Sequence, residues 1–206
     1  HTSHYQNFKK IEMEILKDGK VIGYNFYFFN KEEDIITVKN QIKFKVDLFG
    51  VKVFDIEGYG IEKYKNNKLI SYKSKTKQND KEKFVNLIYE PEKDKFDIKG
   101  SSYTGLAGTN NVIGSWWNHQ ILQADSQISP ISGSIKEQIV TFLAKEKIEL
   151  YGKIIEVDHF KLTSKDKNIP KNKRLDFDIW YDSKNAMIVK VSYSRMGNWE
   201  YRLKNY

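Results

Sequence analysis

The sequence predicts an all-β protein with minor helical content: a single strongly curved antiparallel sheet, forming a half-barrel or barrel of about 11 strands with a short helix as its plug. Two observations support this class. Apolar residues recur with a period of two through most of the chain, as they do in half-buried strands. The intervening segments are short and rich in turn-forming residues, and none carries a long helical pattern, so an antiparallel meander is expected.

The clearest strand is IITVKNQIKFKVDLF, residues 35–49. Its apolar face carries Ile36, Val38, Ile42, Phe44, Val46 and Leu48. Lysines and one aspartate alternate with these residues on the other face, and only Asn40 interrupts the apolar series. A helix would spread the same residues around its circumference, so the pattern indicates a strand.

The other predicted strands follow the same alternation. Residues 8–17 form the first, and the Asp18-Gly19 pair then predicts a tight hairpin into VIGYNFYFF. The remaining candidates cover residues 53–64, 68–77, 83–90, 94–104, 147–151, 154–163, 174–182, 186–195 and 198–204. We find no internal repeat and no linker composition, so residues 1–206 are predicted to form one domain.

The main helix candidate is GSWWNHQILQ, residues 114–123. Ser115 is placed to cap two helical turns, because its side-chain oxygen accepts hydrogen bonds from free amides of a first turn. Residues 134–145 fit either a short helix or a strand. The segments 101–113 and 124–134, on either side of the tryptophan pair, are rich in small polar residues and are predicted to be long loops.

The chain is basic, with a formal net charge of +8 and 32 lysines among its 35 basic residues. Lysine is a hydrated point charge, whereas arginine's planar fork is favoured for phosphate and base recognition. The lysines are also spread along every strand among acidic residues. We therefore expect no nucleic-acid partner, and a weak contact with anionic membrane surfaces at most.

The absence of cysteine excludes disulfides and thiol catalysis. We expect a monomer without a cofactor. A copper site is the alternative for the histidines, because an N-terminal His1 chelates copper through its amino group and imidazole, with His4 or His119 as the second ligand. A tag remnant or a frayed terminus explains His1 and His4 equally well, so no metal is the preferred interpretation.

Asp176 and Asp178 share a strand face in RLDFDIWYD and are the catalytic candidates, together with His119. Same-face neighbours on a strand lie about 7 Å apart, within the carboxylate spacing of inverting glycosidases. The same alternation is typical of a solvated strand face. No nucleophile elbow, phosphate loop or metalloprotease motif is present in the sequence, which argues against an enzyme.

The two adjacent tryptophans fit either a site wall or core packing. Successive indoles on a short helix point to different sides, so one can enter the core while the other lines an opening. An apolar ligand site would be lined by Trp116, Trp117, Phe26, Phe28 and Phe44, with Asn118 and His119 at its mouth.

Four motifs, DGKVIGYNFYFF, SWWNHQIL, DFDIWYD and GNWEYRLKNY, resemble a family of small bacterial envelope proteins of uncharacterised function. Members of that family have proline after the Trp-Asn pair, where this chain has His119. The resemblance implies a secreted or periplasmic β-protein, with a cleaved signal peptide as the reason for a chain that starts at His1. At the level of fold, the pattern is similar to the half-barrel lipoprotein carriers of the bacterial envelope.

These observations favour a non-enzymatic envelope protein that binds or carries an apolar ligand, a lipid or acyl chain, in the hollow of a curved sheet. A hydrolase or lyase acting on an envelope polysaccharide is the first alternative. A structural or interaction module without a small ligand is the second.

Overall fold

A computed structural model describes residues 9–206, which form fifteen strands. The strands are β1 (Lys10–Lys17), β2 (Lys20–Glu32), β3 (Ile35–Leu48), β4 (Val51–Lys65), β5 (Lys68–Gln78), β6 (Lys81–Glu90), β7 (Lys95–Gly100), β8 (Thr104–Gly108), β9 (Val112–Ile113), β10 (Ser126–Ile128), β11 (Ile135–Leu150), β12 (Lys153–Ser164), β13 (Asp176–Asp182), β14 (Met187–Ser194) and β15 (Asn198–Asn205). Within this range the helices are two short 3-10 turns, His119–Leu122 and Lys171–Lys173. Neither could span a bilayer, and residues 9–206 contain no other helix that could.

All fifteen strands belong to one curved sheet, in the order β8-β7-β6-β5-β4-β3-β2-β1-β15-β14-β13-β12-β11-β10-β9. Every neighbouring pair is antiparallel except β9 and β10. The end strands β8 and β9 do not pair with each other, so the sheet is not a closed barrel. The predicted all-β class and single curved antiparallel sheet are confirmed. The strand count is higher than predicted because residues 101–134 contribute three short strands.

The hairpin between β1 and β2 forms where the Asp-Gly pair predicted it. Asp18 and Gly19 have φ of 49° and 81°, and Lys17 pairs directly with Lys20. Positive φ at both central residues matches the twist of the flanking strands. The turn therefore sets the pairing of Lys17 and Leu16 beside it, and an irregularity between Ile15 and Leu16 shifts the register of the rest of the two strands.

We call the face that carries the buried side chains the inner face. On β3 the buried positions include Ile36, Val38 and Phe44, as the alternation predicted. Leu48 is exposed, because the end of this hairpin extends past its neighbours. Asn40, the interruption in the pattern, is half-buried on the inner face.

Residues 109–134 cross the inner face between β8 and β11, and we call them the plug segment. Trp117 packs edge-on against Phe29 of β2 at 5.4 Å and Tyr64 of β4 at 5.7 Å between ring centroids. Trp116 packs against Phe177 of β13 at 5.0 Å. The two adjacent indoles thus join opposite halves of the sheet.

The helix in this segment is shorter than predicted. Asn118, rather than Ser115, caps it, with its side-chain oxygen accepting from the amide of Gln120 at 3.0 Å. Indole contacts on opposite halves of the sheet hold the preceding residues in an extended path, so a single 3-10 turn follows. The ambiguous stretch 134–145 belongs to strand β11.

Candidate functional site

A cavity of about 490 Å³ lies between the plug segment and the inner face of the sheet. This volume falls within the range of about 300–1,000 Å³ that is typical of small-molecule sites. Three kinds of side chain line it: polar residues from β2 to β5, aromatic residues from β13 to β15, and basic residues at its mouth. The arrangement gives the cavity two chemically different walls and a charged rim.

The polar wall has Glu62 at its centre. On β4 the inner face carries Ile56, Gly58, Gly60, Glu62 and Tyr64, so the carboxylate is in phase with the core and is 2% exposed. The same alternation that buries the neighbouring apolar residues therefore buries a carboxyl group.

Three donors satisfy this carboxylate. It accepts from the hydroxyl of Tyr64 at 2.6 Å, the indole Nε1 of Trp117 at 2.8 Å and the hydroxyl of Ser115 at 3.2 Å. Burial raises the pKa of Glu62 to about 7, although the hydrogen bonds from Tyr64, Trp117 and Ser115 act in the opposite direction. Glu62 thus ties the plug segment to β4.

A second polar group surrounds Tyr27. Its hydroxyl oxygen accepts from Asn25 Nδ2 at 2.9 Å and from the backbone amide of Trp116 at 3.2 Å. Asn40 Nδ2 donates in turn to Asn25 Oδ1 at 2.6 Å. Because the Tyr27 oxygen accepts twice, its own proton can be donated to an acceptor in the cavity. Burial raises the pKa of Tyr27 well above its ordinary value, so the hydroxyl remains a donor at neutral pH.

Two glycines make room for this wall. A Cβ on Gly60 would lie 2.9 Å from the Tyr72 hydroxyl, which donates to the carbonyl of Pro130 at 2.8 Å. A Cβ on Gly58 would lie 3.0 Å from Ile42 and 3.1 Å from the Thr76 hydroxyl. These positions therefore leave room for the side chains of the neighbouring strands, and Gly58 itself borders the cavity.

The opposite wall is aromatic. Phe177 packs against Trp116 at 5.0 Å and against Tyr193 at 5.4 Å, both edge-on, while Tyr193 stacks on Trp199 at 5.7 Å. Contacts of this kind fix ring orientations in addition to burying apolar area. The wall is a rigid apolar surface.

The mouth is basic. Its cationic lining consists of Lys136, Lys167, Lys171, Arg174 and Arg195. None of these five forms an ion pair with any residue in the range 9–206. Asp176, which also lines the mouth, lies 2.8 Å from Lys161. Burial, with the charges of Arg195 and Lys173, lowers the pKa of Lys136. The mouth thus holds a surplus of positive charge.

The predicted ligand-lining residues lie in different environments, and only some of them border the cavity. Trp116 lines the cavity, whereas Trp117 is 1% exposed in the core. Asn118 is buried as the cap of the 3-10 turn, and His119 packs against Tyr181 at 5.7 Å. Phe44 is buried against Phe54 and Trp199.

Phe26 and Phe28 do not line the cavity. They lie on the outer face of β2, where the Lys10 amino group sits over both rings. The inner face of β2 carries Asn25, Tyr27 and Phe29 instead. Aromatic residues occupy both faces of YNFYFF, so the sequence pattern did not show which face points inward. Asn25, a polar residue at an inner position, made the inner face harder to recognise.

The catalytic candidates do not all converge: Asp176 and Asp178 both contact the Lys161 amino group, at 2.8 and 3.0 Å, but His119 lies apart from them. Asp178 lies on the outer face, bonded to His159 Nε2 at 2.7 Å and Lys161 at 3.0 Å. His119 packs on Tyr181, whose side chain points to the other face of β13. Burial opposes ionisation of Asp178, but the bonds from Lys161 and His159 keep its pKa below the ordinary value.

The copper candidates, His1 and His4, lie outside the described residues. Among residues 9–206, no three histidine or carboxylate side chains come together to hold a metal ion.

The groups that sequence reasoning missed are Glu62 and the Asn25–Asn40 pair. Their signal was a polar residue in phase with a buried strand face, which is costly unless the residue is satisfied.

These features define an all-β, barrel-like protein with an internal cavity and a basic mouth. Residues 13–204 match the model of a family described as a domain of unknown function, DUF6134, and the chain belongs to this family. The predicted resemblance to an uncharacterised β-protein family is thereby confirmed. No curated protein matches the chain.

One similar solved structure is the crystal structure of a beta-barrel-like protein of the domain of unknown function DUF1849 from Brucella abortus. The two chains superpose with a TM-score of 0.63 over 95% of each chain, at 10% sequence identity. At this identity the similarity is one of fold.

Proposed function

We propose that this protein is a non-enzymatic binding or carrier protein for a small amphiphilic anion, such as a fatty acid or an alkyl phosphate. The observation that carries the proposal is the cavity itself: an aromatic wall, a hydrogen-bonding wall and a basic mouth without ion pairs among residues 9–206 converge on one volume. An apolar chain would lie along Trp116 and Phe177, and its anionic head would bind at the mouth.

The basic mouth favours an anionic head group on the ligand, which the sequence predicted only as apolar. Arg174 and Arg195 are the two arginines at the rim, and a guanidinium donates two parallel hydrogen bonds to a carboxylate or phosphate. The Tyr27 hydroxyl supplies a further donor on the polar wall. Arg174 Nε donates to the carbonyl of Ile169 and Arg195 donates to that of Asn172. Each guanidinium therefore keeps further N–H donors that an anionic head group can engage and an uncharged apolar ligand cannot.

The experiment compares ligands that share a chain and differ in the head group. Calorimetric titration with dodecanoate, dodecyl phosphate and dodecanol separates the contribution of the anion from that of the chain. The double variant Arg174→Gln, Arg195→Gln is expected to weaken binding of both anions by at least about tenfold. Binding of dodecanol is expected to remain unchanged.

Arg202→Gln is the matched control, because Arg202 pairs with Glu200 outside the cavity. Unfolding curves of all variants check that the fold is retained. Equal affinity for the acid and the alcohol, or an unchanged affinity in the double variant, would contradict the proposal.

Placement in the bacterial envelope is part of the same proposal, and the motif resemblance supports it. Fractionation of the source cells tests it independently of ligand binding. Recovery of the mature protein with the cytoplasm would contradict the envelope role and leave the binding experiment unaffected.

A further inference from the structure

The strand ends of this sheet fall on two edges with different charge. Antiparallel neighbours place alternate turns on the same edge. The mouth edge consists of turns 17–20, 45–55, 77–82, 100–104, 165–176 and 194–198, and the far edge of turns 31–34, 65–68, 90–95, 149–153 and 182–187. The mouth edge carries 12 basic and 7 acidic residues, whereas the far edge carries 7 basic and 8 acidic residues.

The positive charge of the mouth edge is concentrated beside the cavity. The loop 165–176 alone has five basic residues against two aspartates. It is linked to the next turn, because Arg195 donates to the carbonyl of Asn172. The surplus positive charge therefore lies mainly on the part of the edge formed by the loop 165–176 and the turn 194–198, whereas the turns 45–55 and 77–82 carry equal numbers of basic and acidic residues.

An apolar ribbon projects from the same edge. Pairing of β2 with β3 ends at Gly23 and Phe44, and pairing of β4 with β5 begins at Ile56 and Gln78. The intervening residues 46–54 form a two-stranded ribbon beyond the neighbouring strands, with Phe49 fully exposed at its tip.

The ribbon tip is apolar on its exposed surface. Leu48, Val51 and Val53 are exposed around Phe49, and a positive φ at Phe49 and Gly50 forms the tight turn. A second apolar side chain, Met196, is almost fully exposed at another turn of the mouth edge. The ribbon's own charges are paired, Lys45 with Asp47 and Lys52 with Asp55, so the surplus charge comes from the loop.

We infer that the mouth edge docks on an anionic lipid bilayer, with the ribbon tip and Met196 entering the headgroup region and the basic loop contacting lipid phosphates. Apolar side chains at separate turn tips, on an edge with a surplus of positive charge, suit a soft interface into which each tip inserts alone. Basic residues within a Debye length of an anionic surface are attracted to it. The cavity mouth then faces the bilayer.

Docking of the mouth edge on a bilayer does not require the cavity to hold a ligand, so membrane binding and ligand binding can be disproved independently. Flotation of the protein with vesicles of phosphatidylcholine and phosphatidylglycerol in equal parts is the test, with pure phosphatidylcholine vesicles as the second arm. The protein is expected to float with the anionic vesicles and to remain behind with the neutral ones. Added salt is expected to release it.

Two variants test the two contacts. Phe49→Ser with Val51→Ser removes the apolar tip and is expected to weaken vesicle binding about tenfold or more. Lys20→Glu with Lys173→Glu reverses charge on the mouth edge outside the cavity lining and is expected to abolish the preference for anionic vesicles.

The matched control is Tyr151→Ser with Ile154→Ser, two exposed residues at the far edge, which is expected to bind as the parent protein does. Thermal unfolding confirms that each variant is folded. The inference is overturned if the parent protein does not float with anionic vesicles, or if the ribbon variant and the far-edge variant bind equally well.

Discussion

The indole Nε1 of Trp117 donates a hydrogen bond of 2.8 Å to the buried carboxylate of Glu62. The two residues are 55 positions apart, and the bond joins the plug segment to strand β4. Tyr64 and Ser115 bind the same carboxylate, so one polar group organises the floor of the cavity. The cavity depends on the plug segment, which makes this contact central to the site.

Loss of the Glu62 carboxylate is expected to destabilise the fold. Glu62→Ala leaves three donors without their acceptor, and we expect the free energy of unfolding to fall by about 3 kcal/mol. Glu57→Ala, on the exposed face of the same strand, is the control and should change it by less than about 0.5 kcal/mol. Urea unfolding at neutral pH measures both. A similar small change in the two variants would show that the Glu62 contacts do not stabilise the plug segment.

The raised pKa of Glu62 gives a distinct pH dependence. The folded pKa is about 7 against an ordinary value of 4.5, so the folded protein keeps the proton while the unfolded chain loses it. This contribution to stability is fully present below pH 4.5 and is lost as the pH rises through 7. Relative to Glu62→Gln, the parent protein should therefore lose about 3 kcal/mol of unfolding free energy across this window.

Urea titrations of the parent protein and Glu62→Gln at a series of pH values measure that difference. The comparison cancels the titration of every other group, because the two proteins share them. A difference that stays constant would mean that the folded pKa of Glu62 is not raised, and one that grows in favour of the parent protein as the pH rises would mean that this pKa is lowered.

Truncation of the two tryptophans is expected to destabilise the fold to different degrees. Trp117 is buried on all sides, so Trp117→Ala should cost about 4 kcal/mol of unfolding free energy. Trp116 is 9% exposed and borders the cavity, so Trp116→Ala should cost less, about 2 kcal/mol. Thermal and urea unfolding compare the two. The reverse order of costs would be inconsistent with the packing described.

Gly23 and Gly60 both lie too close to neighbouring atoms for a side chain, but those neighbours differ in how easily they can move. A Cβ on Gly23 would lie 2.0 Å from the carbonyl oxygen of Lys43, a backbone atom that cannot move without breaking strand pairing. Gly23→Ala should therefore cost about 3 kcal/mol or prevent folding. Gly60→Ala meets the Tyr72 hydroxyl, whose displacement would loosen its bond to Pro130 but not the strand pairing, and should cost less, about 2 kcal/mol. Soluble yield and urea unfolding check the order.

The sequence predicted the parts of this fold that local alternation controls. The inner face of β3 followed from its period of two, and the first hairpin followed from Asp18-Gly19. The plug segment was predicted to carry the tryptophan pair over the sheet, but its helix was overestimated. Long-range indole contacts, which no local pattern encodes, decided that path.

The site was less predictable because its polar residues were hidden among alternating strands. Asn40 was visible as an interruption, and Glu62 was in phase with buried neighbours, yet both also fit an ordinary irregularity in a strand. The basic mouth is assembled from β11, one long loop and one turn, which are distant in sequence. Only the sheet topology brings these elements to one edge.

Contact between a bound anion's chain and Trp116 is the most direct test of the proposed function. A dodecanoate brominated on its chain quenches tryptophan fluorescence at contact distance, and its titration should give saturable quenching in the parent protein. Trp116→Phe should remove the largest share of that quenching, whereas Trp180→Phe, which changes an outer-face indole stacked on His159, should leave it in place. Absence of saturable quenching, or equal quenching in the two variants, would contradict ligand binding in this cavity.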